Sequence, residues 1–218
     1  MMGELDAILF AGGRGSRLGG VDKAELRLGG ARLVDRVVAG ARAAGAHRIV
    51  VVGPAHVVPA GCRAAREDPP FGGPLAALAA ALAALPEEYG PEGARSALLL
   101  SCDLVHPAAV AARLVRESLG DSEAVVLRDP DGRGQWLAGR YRLSALRAGA
   151  ALAGAPTGGR LRAALAGMSI RFVDVPAELV ADIDTPADLA HARATTLEAP
   201  SARDPEPPDP DDLGAETP

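Results

Sequence analysis

The feature that most constrains this chain is an alternation of short apolar runs with longer Ala-rich stretches. "LDAILF" (5–10), "RIVVVG" (48–53), "SALLLSCD" (96–103), "EAVVL" (123–127) and "SIRFVDV" (169–175) have strand length and are dense in Val, Ile and Leu. Runs without polar alternation are buried on both faces, as in parallel sheets. Segments with helical spacing separate several of them. Leu33, Val37 and Val38 give one apolar side to a helix that stops near Gly45. "LAALAAALAAL" (75–85) reads as a buried helix, being only 11 residues long and too short to cross a bilayer. "HPAAVAARLVRESLG" (106–120) carries Pro107 where a helix begins. Strands alternating with helices predict an α/β layer fold with a mostly parallel sheet. "WLAGRYRL" (136–143) breaks the alternation, because "DPDGRGQ" (129–135) before it is a turn. One antiparallel strand is therefore expected in a mixed sheet.

A chain of 218 residues supports one sizeable core. With apolar residues at 48% and aromatics at 3%, that core must be built from Ala, Leu and Val. Residues 1–195 are taken as one domain and 196–218 as a disordered, acidic, proline-rich tail. Six of the 28 acids, one of the 23 bases and five of the 18 prolines fall in 201–218. Residues 1–200 then hold 22 acids and 22 bases. A neutral body argues against nucleic acid, whose binders carry a basic face. The start "MMGELDAILF" lacks a basic leader region, and Cys62 and Cys102 form neither a disulfide framework nor a metal cluster. A cytoplasmic, non-membrane protein is expected.

Ligands in open α/β sheets sit beyond the carboxyl ends of the strands. "LFAGGRGSRLGGVDKAEL" (9–26) follows the first such end and contains Lys23, the chain's only lysine among 23 basic residues. Gly12, Gly13 and Gly15 expose backbone N–H groups that can cradle phosphate oxygens. Arg14, Arg17 and Lys23 add three positive charges. A site that keeps one lysine in an arginine-rich chain is read as narrow, with a single phosphate oxygen at the end of a slim stem. A P-loop is excluded, since Lys23 lies between Asp22 and Ala24 with no hydroxyl for magnesium. A dinucleotide fingerprint is excluded too: Leu18 stands where its third glycine belongs, and the second strand ends on Gly53 instead of an acid.

Asp103 ends an otherwise apolar strand at the same edge. It could cap the following helix, but Pro107 puts that cap nearer Val105 or His106, which leaves Asp103 to bind Mg²⁺. A second acid comes from "DIDTP" (182–186). Strand alternation turns only one of its two acids toward the site, and Asp184 is chosen, with Asp182 as the alternative. Thr185 caps the last helix. "REDPPFGGP" (66–74) forms a rigid arch that could pack against a nucleoside. Arg133, Gln135 and Trp136 (the sole Gln and the sole Trp among them) form a second rare-residue cluster, which could hold a planar acceptor unless Trp136 simply fills the core.

These residues resemble the bacterial molybdenum cofactor guanylyltransferases. The shared marks are the 9–26 segment, "EDPPFGGPLAAL" (67–78), "SCDL" (101–104) and "DIDTPADL" (182–189), with "DGRGQWLAGRYR" (131–142) similar to the family's acceptor-side strand. The resemblance implies a three-layer α/β/α, Rossmann-like nucleotidyltransferase fold. It implies transfer of GMP from Mg·GTP to molybdenum-bound molybdopterin, with GTP and molybdopterin as small-molecule substrates and molybdoenzymes or cofactor-insertion proteins as partners. Carried over by position, Phe10, Ala11, Gly12 and Gly13 would line the nucleotide, Lys23 and Arg17 would clamp phosphates, Asp68 would face the nucleoside, and Asp103 and Asp184 would hold Mg²⁺. Arg133, Gln135 and Trp136 would face the acceptor. The chain departs from the family in having Gly53 and the acids at 182 and 184 where Asn is common, Leu18 for Met, and no proline two places after Asp103. A cytidylyltransferase on the same pterin, a guanylyltransferase on another phosphorylated molecule, a nucleotide-binding protein without turnover and an NAD(P) oxidoreductase are the competing readings.

Overall fold

The central apolar runs become strands because both of their faces are covered. In β1 (Leu5–Phe10), Leu5, Ala7 and Leu9 enter one hydrophobic cluster while Ile8 and Phe10 enter another on the opposite face. The computed structural model describes residues 4–12, 22–86 and 95–198. Among them a seven-stranded sheet joins β1 to β4 (Arg48–Val52), β5 (Arg63–Ala65), β6 (Ser96–Ser101), β7 (Ala124–Arg128), β8 (Gly134–Arg142) and β9 (Ile170–Asp174), in the order β5-β4-β1-β6-β8-β7-β9. β8 pairs antiparallel with both β6 and β7, and the other pairings in this sheet are parallel. The mixed sheet expected from "WLAGRYRL" is therefore present, with β8 starting two residues earlier, at Gly134.

Three pieces went unread in the sequence. β5 has two exposed residues of three and no apolar run to betray it. β2 (Arg27–Leu28) and β3 (Ala31–Arg32) form a separate two-stranded hairpin around the "LGG" turn.

Helices α1 (Leu33–Ala43) and α3 (Pro107–Arg116) cover one sheet face through Val34, Val37, Val38, Val110 and Leu114. α2 (Pro74–Ala84), α4 (Leu143–Leu152) and α5 (Leu161–Leu165) cover the other through Leu75, Leu78, Leu143, Leu146 and Leu161. This is the three-layer α/β/α architecture. α2 is apolar all round, and it packs against the sheet as well as against α4 and α5. Leu98, Leu99 and Leu100 of β6 are fully buried, each contributing about 1.5–3 kcal/mol of hydrophobic stabilisation. A third cluster of Leu28, Leu33, Val105, Ile183 and Leu189 fastens the hairpin to α6 (Pro186–Glu198). The boundary expected after residue 195 falls inside that helix, and residues 199–218 lie outside the described residues. Among the described residues no helix is long and apolar enough to cross a membrane.

Beyond β1 the chain leads to β4 on one side, and beyond β6 it leads through α3 to β7 on the other. The loops at these two adjacent carboxyl ends diverge and leave a crevice between them.

Candidate active site

Three separate segments meet in that crevice. The first continues β1. Ala11 N–H donates to the Val52 carbonyl at 2.8 Å, so its amide is already committed to the sheet. Phe10 is buried and Gly12 exposed, and both line a cleft. The chain re-enters at Asp22, whose carboxylate accepts from Ala24 N–H at 3.2 Å and caps a single 3₁₀ turn, Lys23–Glu25. Ala24 is fully buried, and this anchor fixes where Lys23 projects. Gly13 and Arg17, both expected at the nucleotide, lie outside the described residues.

The second segment is the end of β6. Cys102 N–H donates to the Phe10 carbonyl at 3.0 Å, which ties it to β1. Ser101 and Asp103 are two residues apart, and the Ser101 hydroxyl donates to Asp103 Oδ1. Sequence reasoning missed Ser101, although its i, i+2 spacing from Asp103 was a readable sign. Asp103 does not cap α3; His106 holds that position.

The third segment is 181–184. Val105 N–H donates to Ala181 O at 2.9 Å and Ile183 N–H to Asp103 O at 3.0 Å, a short antiparallel pairing around Leu104 and Asp182. Behind it, Thr185 and Asp188 bond each other reciprocally, side chain to backbone, at 2.7 and 3.2 Å, and Asp184 N–H also donates to Asp188. This capping box holds Asp184 at the mouth of α6.

The result is a charge cluster. Lys23 Nζ lies 3.1 Å from Asp103 Oδ2 and also bonds Asp184 Oδ1. The side chains of Lys23, Asp103 and Asp184 are 22%, 15% and 45% exposed. Burial pulls the Lys23 pKa down, but its bonds to Asp184 and Asp103 outweigh burial and raise it, so the ammonium stays charged. Asp182 was expected to face away if Asp184 faced in. It does not: Asp182 lines a cleft together with Asp103, and burial first, then the negative charges of Asp103 and Asp184, push its pKa up. Strand alternation failed here because residues 182–184 are held by an isolated bridge, outside any regular strand. Cys102 is sealed in the core, and burial pushes its thiol pKa far up, which leaves it inert.

Two clefts of about 330 and 310 Å³ open on either side of Ser101, Pro74 and Leu137, which line both. The first has Phe10, Gly12, Val52, Glu67 and Phe71 in its walls. Asp68 is exposed and absent from that lining; its neighbour Glu67 takes the place, and Glu67 Oε1 accepts from Phe71 N–H at 3.1 Å. The second is lined by Asp103, Asp182, Gln135 and Trp136. Gln135 donates to Asp129 at 2.8 Å. Trp136 is half-buried, edge-on to Phe172 at 5.9 Å, with the Arg162 guanidinium 5.3 Å from its ring centre. Arg133 is mostly exposed, 3.4 Å from Asp131, and does not line this cleft. Arg162 lies over Trp136 without lining the cleft, and nothing in "GRLRAAL" sets it apart from the other arginines in the sequence. Where the resembled family has Asn, Gly53 leaves little room: a Cβ would sit 3.1 Å from the Ala11 carbonyl.

The described residues hold no group of three side chains suited to an all-protein metal cage. Asp103 and Asp184 nevertheless present carboxylate oxygens to one cationic atom, Lys23 Nζ. A hard, oxygen-seeking divalent ion fits such a pair when substrate phosphates and water complete its shell.

A model of the MobA-like NTP transferase domain matches residues 7–172. No functionally curated relative matches the sequence. Among solved structures, the chain is similar to a nucleotidyl transferase from Methanothermobacter thermautotroptrophicus (22% identity, 89% of this chain and 98% of that one, TM-score 0.64). It is also similar to molybdopterin-guanine dinucleotide biosynthesis protein A from Archaeoglobus fulgidus (19%, 88% and 98%, 0.61). A third similar structure is 2-C-methyl-D-erythritol 4-phosphate cytidylyltransferase from Thermus thermophilus (21%, 89% and 99%, 0.61). At these identities the structures speak for the fold.

Proposed function

The chain belongs to the MobA-like NTP transferase family, and on that premise we propose that it transfers GMP from Mg·GTP to the phosphate of molybdenum-bound molybdopterin, forming the guanine dinucleotide and pyrophosphate. Nucleotidyl transfer comes with the family. The guanine and the pterin are supported by the shared motifs and by the archaeal molybdopterin-guanine dinucleotide protein among its structural neighbours.

The observation that carries the reading is the meeting of Lys23 with Asp103 and Asp184, where Asp103 lines one of two clefts that share a wall. One cleft takes the nucleoside and the other the acceptor, so the α-phosphorus falls near the shared edge at Ser101. A phosphate oxygen of the acceptor forms the new bond to that phosphorus, and the bond to the β-phosphate oxygen breaks. The acceptor is ionised at neutral pH, so no strong base is required, and none of the four His residues is assigned chemistry. Asp103 and Asp184 would hold Mg²⁺, which when bound neutralises charge on the triphosphate and the departing pyrophosphate. Asp103 is oriented for this by the Ser101 hydroxyl. Lys23 supplies a fixed positive charge: it offsets part of the carboxylates' charge in the free protein and serves phosphate oxygens in the complex. The work is positioning and electrostatic stabilisation.

The test is pyrophosphate release from GTP, CTP and ATP in magnesium, with and without molybdenum-loaded molybdopterin. Release from GTP that depends on the pterin is expected. Gly53 favours one second reading, because the Asn side chain it lacks would have contacted base or ribose: a cytidylyltransferase on the same acceptor. CTP turning over faster than GTP would establish that enzyme in place of the first.

A further inference from the structure

The arch between β5 and α2 carries a side chain that the catalytic reading leaves without work. Phe71 is 57% exposed, in a protein with only three phenylalanines. Its φ is +64°, the one left-handed backbone among the described non-glycine residues. That region disfavours any residue with a Cβ, most of all a bulky one, and such outliers gather at ligand sites. Gly72, the next residue, could adopt it freely, yet the left-handed position holds the ring instead. The surroundings over-determine this geometry. Glu67 Oε1 accepts from Phe71 N–H at 3.1 Å, Gly72 N–H donates to Pro69 O at 3.1 Å, and Gly158 N–H donates to Gly72 O at 2.6 Å.

Phe71 lines the first cleft with Phe10, Val52 and Ala77. The same cleft reaches Ser101, whose hydroxyl bonds Asp103, so its apolar part adjoins the charged cluster. An exposed aromatic ring beside the Lys23–Asp103–Asp184 cluster suits a ligand with a flat π-face at one end and metal-bound phosphates at the other.

We propose that Phe71 is the stacking platform for the nucleobase of the bound nucleoside triphosphate, and that Glu67 is the residue that positions it. This rests on the nucleotidyltransferase reading and adds the residue that grips the base. Stacking recognises the π-face, so Phe71 contributes affinity for every base, and selection among bases lies elsewhere.

The test is equilibrium binding of Mg·GTP, Mg·CTP and base-free magnesium tripolyphosphate to the full chain and to Phe71→Ala and Phe71→Tyr. Alanine keeps a Cβ, so the backbone conformation is burdened as before and the ring alone is removed. Phe71→Ala should weaken GTP by roughly 5- to 150-fold, the range for loss of one base–aromatic stack, and weaken CTP in the same sense. It should leave tripolyphosphate unchanged, and Phe71→Tyr should restore GTP binding. Glu67→Ala should weaken GTP in the same selective way, because it frees the Phe71 amide. Unchanged GTP affinity in Phe71→Ala overturns the proposal while the enzyme reading stands. An equal loss for GTP and tripolyphosphate overturns it as well, since the ring would then only shape the loop. Failure of the unaltered protein to bind any nucleotide defeats both readings together.

Discussion

Strands β1 and β6 carry a charge cluster at each end, and the two clusters differ in every respect that matters. At the amino end, Asp6 is paired with Arg95, which also lies 3.3 Å from Glu4, and Arg48 reaches Glu4 at 3.0 Å and Asp6 at 3.6 Å. Two acids meet two bases, and the side chains of Asp6 and Arg95 are 1% and 8% exposed. At the carboxyl end, among the described residues, Lys23 alone faces Asp103 and Asp184, with Asp182 close enough to feel both. That end is open, and its described residues carry surplus negative charge. A balanced cluster around a buried Asp6–Arg95 pair leaves no surplus charge for a ligand, although its outer members Glu4 and Arg48 are part-exposed. An open, unbalanced one stabilises the free protein poorly and calls for a cation. Charge alone therefore does not mark a site; imbalance combined with access does.

The sharpest way to break this contrast is to remove one group from each end and ask which property falls. Asp103→Asn and Lys23→Ala should each lower turnover by roughly 10²- to 10³-fold, the usual loss for a preorganised electrostatic group. Their melting temperatures should hardly move. Lys23→Arg should lose almost as much activity as Lys23→Ala, because the guanidinium fork differs from an ammonium in shape and hydrogen-bond geometry. Steady-state pyrophosphate release decides it, and a fully active Arg variant sinks the account of the lone lysine. At the other end, Arg95→Ala leaves Asp6 charged and buried without its partner. Such a change typically destabilises by about 3–5 kcal/mol, or roughly 6–20 °C in melting temperature for a domain of this size. Below that temperature the activity per folded molecule should be unchanged. Joint replacement of Asp6 and Arg95 by apolar residues of similar volume should recover much of the loss, because no charge is then stranded.

A finer cut separates the two acids of 182–184. Asp184 bonds Lys23 directly, whereas Asp182 acts only through its charge. Asp184→Asn should therefore weaken the magnesium dependence of turnover more than Asp182→Asn does, but less than Asp103→Asn. A magnesium titration of pyrophosphate release orders the three. If Asp182→Asn proves the worse of the pair, the assignment within this segment is reversed.

These contrasts also show what was legible beforehand. The sheet and its reversed strand could be read because two-sided burial writes an unbroken apolar run, and because "WLAGRYRL" lacks one. Lys23 and Asp103 could be read because each is rare in its setting: a sole lysine after glycines, and an acid ending an aliphatic strand. β5 was silent, its residues being too few and too exposed to leave a pattern. The orientation of Asp182 was misjudged because a period-two argument was applied to a segment held by one isolated bridge. Asp68 stood out for its place before two prolines, yet the chain turns there and Glu67 reaches the cleft instead. Phe71 was passed over because a single exposed aromatic carries no periodicity, and a left-handed backbone cannot be read from a residue that normally avoids it. The buried Asp6–Arg95 pair was equally hidden, since its partners lie 89 residues apart.

A third cluster tests whether balance and access are both needed. Glu117, just beyond α3, bonds Arg113 one turn back and Arg171 of β9 at 2.8 Å, and faces neither cleft. Hydrogen bonds from Arg171 and then Arg113 hold its pKa below the usual carboxylate range. A carboxylate with a depressed pKa in the folded state adds stability above its unfolded pKa, and that contribution fades as pH falls through the folded value. Glu117→Gln should thus lower the melting temperature at neutral pH, and the gap from the unaltered protein should close in acid. The size should be small, about 0–1 kcal/mol, because the partners are solvated and salt screens them. Turnover should not change at any pH at which the variant is folded. A loss on the scale of Arg95→Ala would mean that pairing outweighs sealing in this fold, and the distinction between the two ends of β1 and β6 would rest on the surplus charge alone.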